Sequence, residues 1–350
     1  MSADLPRLRG WLDGLLEKRS LVVDEARALL VALTDAQLPP ALAGALLAAI
    51  RAKGVTAEEL RGFALGMRSL ARRPAFAPAE LAGAVDIVGT GGDKSGSFNL
   101  STGASLLAAA AGLTVVKHGN RSVSSKAGSA DVLEALGLAL PLDEQRAAAC
   151  LAATGFTFLF APHYHPAMKA IGPVRHALGV RTVFNILGPL TNPAEPPFHV
   201  IGAYNDATAR LMAEALAGLP LTRAFVIHGA AGWDEPSPLG PFLLLDVRPG
   251  QVRESQRAPA DYGIAVCQEE HLQGGDAAYN ATALTQVLRG EDHGPHRDAL
   301  LLGAALALEV TGRAASPREA IALARAAIDD GRASAQLAKL AAFSRRAGAA

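Results

Sequence analysis

The sequence predicts an α/β protein in which a small N-terminal helical domain precedes a larger domain with a mostly parallel sheet flanked by helices. Three observations support this fold class: helical spacing of apolar residues over 1–72, a break in the pattern over 72–84, and alternating strands and helices beyond it. A chain of 350 residues can form one large domain and a smaller one. We expect the small domain over 1–72, the α/β domain over 73–350, and a hinge or helical return within 165–190.

The first segment has the apolar spacing of amphipathic helices. Leu8, Leu12 and Leu15 recur at intervals of three and four, which places them on one helix face. Pro74 and Pro78 interrupt the pattern after residue 72. We therefore expect several short helices packed as a bundle, without strands.

The pattern after this break is one of strands alternating with helices. Strands are expected over 85–88, 113–116, 156–160, 200–204 and 224–228, with helices over 99–111, 131–136 and 207–217. Such alternation indicates a parallel sheet covered by helices on both faces. We expect antiparallel strands within 240–270 at one edge of the sheet, and helices from Ala281 onward.

The composition excludes several classes of protein. Half of the residues are apolar and 19% are charged, which is typical of a globular chain. The 33 basic and 33 acidic residues give no net charge, which argues against a nucleic-acid or membrane partner. The two cysteines, Cys150 and Cys267, form no CxxC pair and are expected to be core residues. With no secretory signal and no transmembrane helix predicted, we expect a cytoplasmic protein.

A glycine-rich turn after the first strand is the first chemical signal. Gly89, Gly91 and Gly92 precede Asp93, and hydroxyl residues then lead into a helix. Glycines let backbone N–H groups approach an anion, and a helix N-terminus attracts phosphate. Tight turns of this kind are common, and the pattern is neither the Rossmann nor the Walker motif. A phosphate site here would also need a metal or a ribose hydroxyl beside Asp93.

A second polar segment, residues 117–131, follows the next strand. It contains three cations, four serines and two glycines before a helix begins. Packing does not explain this composition, although a solvated surface loop does. The alternative is a second anion-binding loop.

Together these two segments resemble the signatures of the anthranilate phosphoribosyltransferase family of tryptophan biosynthesis. A third segment agrees, with Pro162, His163 and His165, then Arg175, and then the run 181–193 that reads RTVFNILGPLTNP. Matching segments extend from about 86 to 235 in family order, and both ends of the chain are similar too. The resemblance therefore covers most of the chain and is specific.

The resemblance implies three groups of site residues. The donor, phosphoribosyl pyrophosphate (PRPP), would be bound by Gly89, Gly92, Asp93, Ser97, Asn99, Leu100, Ser101, Thr102, Lys117, Ser125 and Ser129. The acceptor, anthranilate, would be bound by Asn120 and Arg175, with His118, Pro162 and His165 lining its channel. The metal, Mg²⁺, would be bound by Ser101, Asp234 and Glu235.

Each group has a chemical rationale and an ordinary structural alternative. An arginine fork pairs with a carboxylate such as that of anthranilate, but Arg175 could equally form a structural ion pair. Hard oxygen ligands suit Mg²⁺, whereas Asp234 and Glu235 taken alone would more often be surface acids. Two histidines on different loops, such as His118 and His165, are often only packing or capping groups. The resemblance also implies a homodimer through the N-terminal helices.

Some residues depart from the family pattern. Trp233 is bulky, Pro236 and Pro238 stiffen the turn, and Gly303 stands where the family commonly has Asn. These departures leave open a divergent enzyme that uses another aromatic amine. A pyrimidine nucleoside phosphorylase would carry a different phosphate loop. A non-enzymatic, nucleic-acid-binding member would need a basic surface that the balanced charge does not favour.

Overall fold

The computed structural model of the protein describes residues 4–122 and 126–347. Four helices come first: α1 (Leu5–Leu16), α2 (Val23–Leu33), α3 (Pro40–Lys53) and α4 (Ala57–Leu70). The seven strands are β1 (Ala84–Gly89), β2 (Thr114–Gly119), β3 (Phe156–Phe160), β4 (Phe198–Gly202), β5 (Arg223–His228), β6 (Phe242–Arg248) and β7 (Gln251–Arg257). None of the described helices combines the length and apolar character that a membrane crossing requires.

The remaining helices lie between and after the strands, except for the first, which precedes β1. They are α5 (Pro78–Leu81), α6 (Leu100–Ala110), α7 (Ser129–Ala135), α8 (Glu144–Thr154), α9 (Ala161–Tyr164), α10 (Met168–Leu178), α11 (Phe184–Leu187), α12 (Asp206–Ala217), α13 (Ala277–Leu288), α14 (Pro295–Val310), α15 (Pro317–Asp329) and α16 (Arg332–Ala347).

Local capping explains how the N-terminal helices begin. The Glu59 amide donates to the Thr56 hydroxyl at 3.2 Å, and the Thr56 amide donates back to the Glu59 carboxylate at 2.9 Å. This reciprocal pair satisfies two of the free N–H groups at the start of α4. The Glu59 side chain is buried and also accepts hydrogen bonds from Lys53 and from the Leu21 backbone. One carboxylate thus joins the start of α4 to α3 and to the segment before α2.

The strands form one sheet in the order β3-β2-β1-β4-β5-β6-β7. Strands β1 to β5 are parallel, whereas β6 and β7 are antiparallel to their neighbours. The predicted fold class is confirmed, including the antiparallel edge. Because the carboxyl ends of parallel strands share one edge, the loops after β1, β2, β3, β4 and β5 all emerge there.

Alternate residues of the strands face two separate cores. Val200 and Phe225 pack against α6, α8 and the C-terminal helices, whereas Ile201 and Val226 pack against the N-terminal helices and α12. This alternation follows from the two-residue period of a strand. The N-terminal helices therefore cover one face of the sheet. The boundary at residue 72 and the hinge remain predictions.

Several elements differ from the sequence-based expectations, and three of them bear on the site or the sheet. Strand β2 continues to Gly119, so Lys117 and His118 are strand residues and do not belong to the loop that follows. Strand β4 spans Phe198–Gly202, two residues earlier than expected. Helix α8 was not predicted, because its Ala-rich sequence lacks a strong apolar stripe. Strand β2 extends because parallel pairing with β3 continues to its last residue.

The unusual Gly303 lies where α14 crosses α6. A Cβ atom at residue 303 would lie 2.7 Å from the Cβ of Ala104, closer than such atoms approach in proteins. An asparagine could not fit at this crossing without moving a helix. The departure from the family pattern is thus a matter of helix packing.

Replacing Gly303 by alanine is expected to lower the free energy of unfolding by about 1–3 kcal/mol through overpacking. Gly10 provides a matched control, because it lies inside α1 with no atom near its absent Cβ. Gly10→Ala is expected to raise stability by up to about 1 kcal/mol. Urea unfolding of both variants measures the difference. Equal effects of the two substitutions would contradict the close helix contact.

Candidate active site

The candidate site lies at the carboxyl edge of the sheet, where the loops after β1 and β5 meet the end of β2. Asp234 follows β5 and is buried against β1 and β4. A Cβ at Gly89 would overlap the Asp234 carboxylate, and one at Gly202 would overlap its carbonyl oxygen. Only glycine at both strand ends allows Asp234 to lie between them. The sequence pattern predicted the first of these glycines but not the second.

Asp234 and the first loop are joined by direct hydrogen bonds. The Gly91 amide donates to the Asp234 carboxylate at 2.5 Å, and the Thr90 hydroxyl donates to it at 3.3 Å. The Asp234 amide in turn donates to the Asp93 carboxylate at 3.2 Å. Two segments that are 141 residues apart in sequence thereby form one acidic centre.

Burial and mutual repulsion dominate the electrostatics of this centre. Burial, and then the neighbouring Asp93 and Glu235 carboxylates, raise the pKa of Asp234 well above its usual range. Burial also raises the pKa of Glu235 to about 7, although the Lys117 ammonium opposes this shift. Carboxylates that crowd one another in this way are stabilised by a cation.

Lys117 supplies one cation from inside the sheet. Its side chain is buried, and its ammonium donates to the Ile87 carbonyl and, at 3.3 Å, to the Ser101 hydroxyl. Burial lowers the pKa of Lys117, whereas Asp86, Glu235 and Asp234 raise it. The predicted donor-binding lysine is therefore fixed by strand β2 and contacts the predicted metal ligand Ser101.

The N-terminus of α6 is left open toward the acidic centre. Asn99 precedes the helix but makes no capping hydrogen bond. Its side chain instead donates to the Ala127 carbonyl at 3.2 Å and accepts from Asn280 at 2.8 Å. The Ser101 amide donates to Glu235 at 3.3 Å. A helix N-terminus of this kind attracts anions.

Besides Lys117, two of the predicted donor residues have buried side chains. Leu100 and Thr102 lie under the first turn of α6, and the Thr102 hydroxyl has no partner among the described residues. They can therefore offer a phosphate only their backbone N–H groups. The glycine-rich pattern located this turn correctly, but burial decides which atoms of it remain accessible.

The glycine-rich loop is anchored at several points. The Ser95 amide donates to Asp93 at 3.1 Å, and Ser97 forms an isolated bridge with Gln273. Gly92 has a left-handed φ of 77°, and its carbonyl accepts a hydrogen bond from the Arg181 guanidinium. The Arg181 guanidinium lies over the Tyr204 ring, with 4.2 Å between the arginine Cζ and the ring centroid.

Sequence reasoning assigned no role to Arg181 or to Asn280. Both residues act on donor-loop residues from distant positions, at Gly92 and Asn99 respectively. Both also stood within segments that carry the family resemblance. That placement was a usable signal, but it did not identify their partners.

The second polar segment differs from the expected anion-binding loop. Arg121 forms salt bridges with Asp131 at 2.7 Å and with Glu134 at 2.6 Å. One of the three predicted cations is therefore already paired, and a second, Lys117, is a strand residue. Ser129 is the first residue of α7, near Gly119 across the turn. Ser125 lies outside the described residues.

Two histidines meet beside Lys117. The rings of His118 and His165 lie 5.1 Å apart with an interplanar angle of 64°. Nε2 of His118 and both ring nitrogens of His165 have no hydrogen-bond partner among the described residues. Burial lowers the pKa of His118 well below its usual range and that of His165 to about 4. Both imidazoles are therefore uncharged at neutral pH.

The other predicted acceptor residues come from three separate segments around this edge. Arg175 lies on α10, with its Cζ 5.1 Å from the centre of the Phe184 ring, and burial lowers its pKa. It makes no salt bridge within the described part of the chain. Asn120 is exposed after β2, and Pro162 is exposed at the start of α9. The structural ion pair considered for Arg175 is thus absent among the described residues.

The predicted metal ligands fit a hard cation that keeps some of its water. Asp234, Glu235 and Ser101 present carboxylate and hydroxyl oxygens to one region, where burial and then the neighbouring carboxylates raise the pKa of Asp234. The described residues contain no group of three or more His, Cys, Asp or Glu that could hold a metal alone. Mg²⁺ commonly uses one or two carboxylates together with substrate phosphates.

The departures around Trp233 do not reach the site surface. The Trp233 side chain is 2% exposed and belongs to the core between the sheet and the C-terminal helices. Pro236 and Pro238 are also buried. The bulky residue therefore packs into the core and occupies no acceptor space.

Comparison with known proteins gives matches over nearly the whole chain. Residues 81–334 match the model of the glycosyl transferase family a/b domain, and residues 10–71 match that of its helical bundle domain. The chain is 44% identical to anthranilate phosphoribosyltransferase of Chloroflexus aurantiacus (strain J-10-fl) over 340 residues, which are 97% of this chain and 99% of that protein.

Solved structures agree with this similarity. The crystal structure of anthranilate phosphoribosyltransferase from Thermus thermophilus matches with a TM-score of 0.88 and 40% identity, covering 96% of this chain and 99% of that one. The enzyme from Saccharomyces cerevisiae in complex with PRPP and Mg matches with a TM-score of 0.89 and 25% identity, covering 98% and 99%.

The buried His165 is expected to make the protein acid-sensitive. Its folded-state pKa of about 4 lies below the usual 6.5, so its contribution to stability is present above pH 6.5 and is lost as the pH falls toward 4. In the wild-type protein, the free energy of unfolding should fall between pH 7 and pH 5, and protonation of His165 should account for about 2 kcal/mol of that fall. His165→Asn should abolish this contribution. Urea unfolding at both pH values measures it.

His199 on β4 offers a second, independent test of this prediction, because burial likewise lowers its pKa, to about 3. His199→Asn should flatten the pH dependence of stability to a similar extent. Parallel stability profiles for wild type and the His165 variant would contradict a buried, neutral His165.

Proposed function

Because the chain belongs to the anthranilate phosphoribosyltransferase family, we propose that the residues at the carboxyl edge of its sheet carry out that reaction. The protein is a pentosyltransferase of tryptophan biosynthesis. It transfers 5-phosphoribosyl from PRPP to anthranilate and gives N-(5-phosphoribosyl)anthranilate and pyrophosphate. The observation that carries the residue assignment is the contact of Lys117 with Ser101 beside the Asp234–Glu235 pair.

PRPP binds at the glycine-rich loop and the N-terminus of α6 in this proposal. Backbone N–H groups around Gly92 and in the first turn of α6 donate to phosphate oxygens. Lys117 adds a full positive charge that is already fixed within β2. Ser97, Asn99 and Ser129 complete the donor site from adjoining turns.

Mg²⁺ binds Asp234, Glu235 and the Ser101 hydroxyl together with oxygens of the donor. Burial and then the crowding of carboxylates raise the pKa of Asp234, and this supports the assignment, because a divalent cation removes the repulsion between the carboxylates. When bound, the metal neutralises charge on the pyrophosphate leaving group.

Anthranilate approaches from the side of the two histidines. Arg175 is half-buried and has no carboxylate partner among the described residues, so its guanidinium is available to the carboxylate of anthranilate. Asn120, His118, His165 and Pro162 line the remainder of the channel. The neutral imidazoles place no positive charge beside a ribose carbon that becomes cationic as its bond to pyrophosphate breaks.

The chemical step is displacement at the anomeric carbon of the ribose. The anthranilate nitrogen forms the new C–N bond as the C–O bond to pyrophosphate breaks, and the nitrogen then loses a proton. An arylamine is uncharged at neutral pH, so we assign no side chain as an obligatory base. Lys117 and the N–H groups of α6 stabilise the departing charge, and fixed alignment of both substrates contributes the rest.

The assembly is a homodimer formed through the N-terminal helices. Leu16 and Val22 are 66% and 56% exposed there, although large apolar side chains are usually buried. The helical domain over 1–72 and the domain over 73–350 would then close over the substrates through a hinge within 165–190. In this proposal the protein acts in the cytoplasm.

Turnover is tested by the loss of anthranilate fluorescence in the presence of PRPP and Mg²⁺, each omitted in turn. We expect loss of signal only in the complete mixture. The double variant Asp234→Asn, Glu235→Gln should lose Mg²⁺-dependent turnover by at least about a hundredfold, because charge stabilisation of the leaving group is removed. Mg²⁺-dependent turnover by the double variant at close to the wild-type rate would reject the metal site.

The carboxylate clamp is tested with Arg175→Ala. The KM for anthranilate should rise about tenfold or more through loss of a charge-assisted pair, while the KM for PRPP stays within about threefold. Arg175→Lys is the matched variant, since it keeps the charge but loses the fork, and its effect should be intermediate. Equal increases in both Michaelis constants would argue against a specific clamp.

A further inference from the structure

The backbone pairing of β1 and β2 stops early. The two strands pair only at Ala84 with Thr114 and at Val85 with Val115, although all residues of both strands are described. On its other side β1 pairs with β4 over five residues, up to Gly89. Toward the site, therefore, β1 and β2 separate, and side chains must satisfy the backbone groups between them.

Asp86 of β1 fills this gap. Its side chain is fully buried, and one carboxylate oxygen accepts a hydrogen bond from the His118 amide at 3.2 Å. Lys117 bridges the gap in the other direction by donating to the Ile87 carbonyl. A side-chain bridge from each strand thus replaces the missing backbone ladder, beside the residues that line the site.

Asn192 completes the bridge from the segment before β4. It is fully buried, and its side-chain nitrogen donates to the second oxygen of Asp86 and to the Val116 carbonyl, both at 2.9 Å. Its side-chain oxygen accepts from the Ala194 amide at 3.0 Å. Asn192 therefore attaches both separated strands to one rigid turn.

The charges around Lys117 give Asp86 a distinct place. Asp86, Glu235 and Asp234 are the carboxylates that favour the charged form of Lys117, with Asp86 the strongest of the three. Two of these, Asp234 and Glu235, bind the metal in the function proposed above. Asp86 is buried away from that pair, where it accepts hydrogen bonds from the His118 amide and the Asn192 side chain.

We propose that Asp86 and Asn192 are positioning residues for the donor, which hold the separated end of β2 and thereby keep Lys117 directed at the pyrophosphate. This inference rests on the proposed function of Lys117. Neither residue touches a substrate in it. Asp86 acts through the backbone of His118, the residue after Lys117, and Asn192 acts through Asp86 and Val116.

Asp86→Asn provides the sharpest test, because it keeps the shape and the oxygen that accepts from His118. The substitution removes the negative charge near Lys117 and turns an N–H₂ group toward that of Asn192. The dissociation constant for PRPP, measured by calorimetry with Mg²⁺, should rise by about tenfold or more. The KM for anthranilate should change by less than about threefold.

Asp246→Asn is the matched control. Asp246 lies on β6 of the same sheet and forms a two-pronged salt bridge with Arg223, at 2.8 and 2.7 Å, away from the carboxyl edge. This variant should lower the Tm of the ligand-free protein as Asp86→Asn does, yet leave the affinity for PRPP unchanged. Comparing the two variants distinguishes the general effect of losing a carboxylate in the sheet from the specific effect of losing the positioning of Lys117.

Asn192→Ser keeps the test decisive if Asp86→Asn does not fold. It shortens the bridge but retains the charge of Asp86, so we expect a weaker loss of PRPP affinity, about threefold to tenfold, again without a comparable change for anthranilate. The proposal is overturned if the folded variants bind PRPP within about twofold of wild type, or if both substrate constants rise equally.

The same measurements distinguish failure of this inference from failure of the proposed function. Wild-type protein that binds PRPP but does not consume anthranilate would reject the proposed reaction, while the calorimetric comparison would still decide the role of Asp86. Wild-type turnover together with unchanged donor affinity in Asp86→Asn would reject only the role of Asp86.

Discussion

The structure depends on one constraint, which is that several charged side chains share a space with little water at the carboxyl edge of the sheet. Lys117, Asp86, Asp234 and Glu235 are buried there or nearly so, and unpaired charges in such a place are costly. Each therefore has partners. Lys117 reaches Ile87 and Ser101, and Asp86 reaches the backbone of β2 and Asn192. These contacts fix the relative positions of the loops that follow β1, β2 and β5.

Close backbone approach is the second consequence of the same constraint. Asp234 comes near Gly89 and Gly202 because no side chain stands between it and the ends of β1 and β4. The acidic pair is thereby brought against the N-terminus of α6, whose free N–H groups offset part of its charge. The negative charge that remains favours binding of a cation. The bound cation in turn allows an anionic donor to bind in the same site.

Local patterns predicted the fold class and most of the segments that surround this site. The alternation of strands and helices, the glycine-rich turn and the adjacent acids were all visible as short motifs. The role of Arg121 was not, because its two acidic partners lie on a helix whose direction is set by packing. Likewise, polar composition alone predicted that Lys117 belongs to a loop, whereas pairing with β3 makes it a strand residue.

The sequence by itself determined the α/β class, the N-terminal helices, the glycine-rich turn and the family, because each rests on residues close together in the chain or on a long run of motifs. Only the tertiary structure decided which atoms meet. Asp86 and Asn192 are 106 residues apart, and Asn99 and Asn280 are 181 apart. Such contacts arise from strand order and helix packing, so no local pattern encodes them. Burial, which makes the histidines neutral and the carboxylates hard to ionise, is likewise a property of the folded chain.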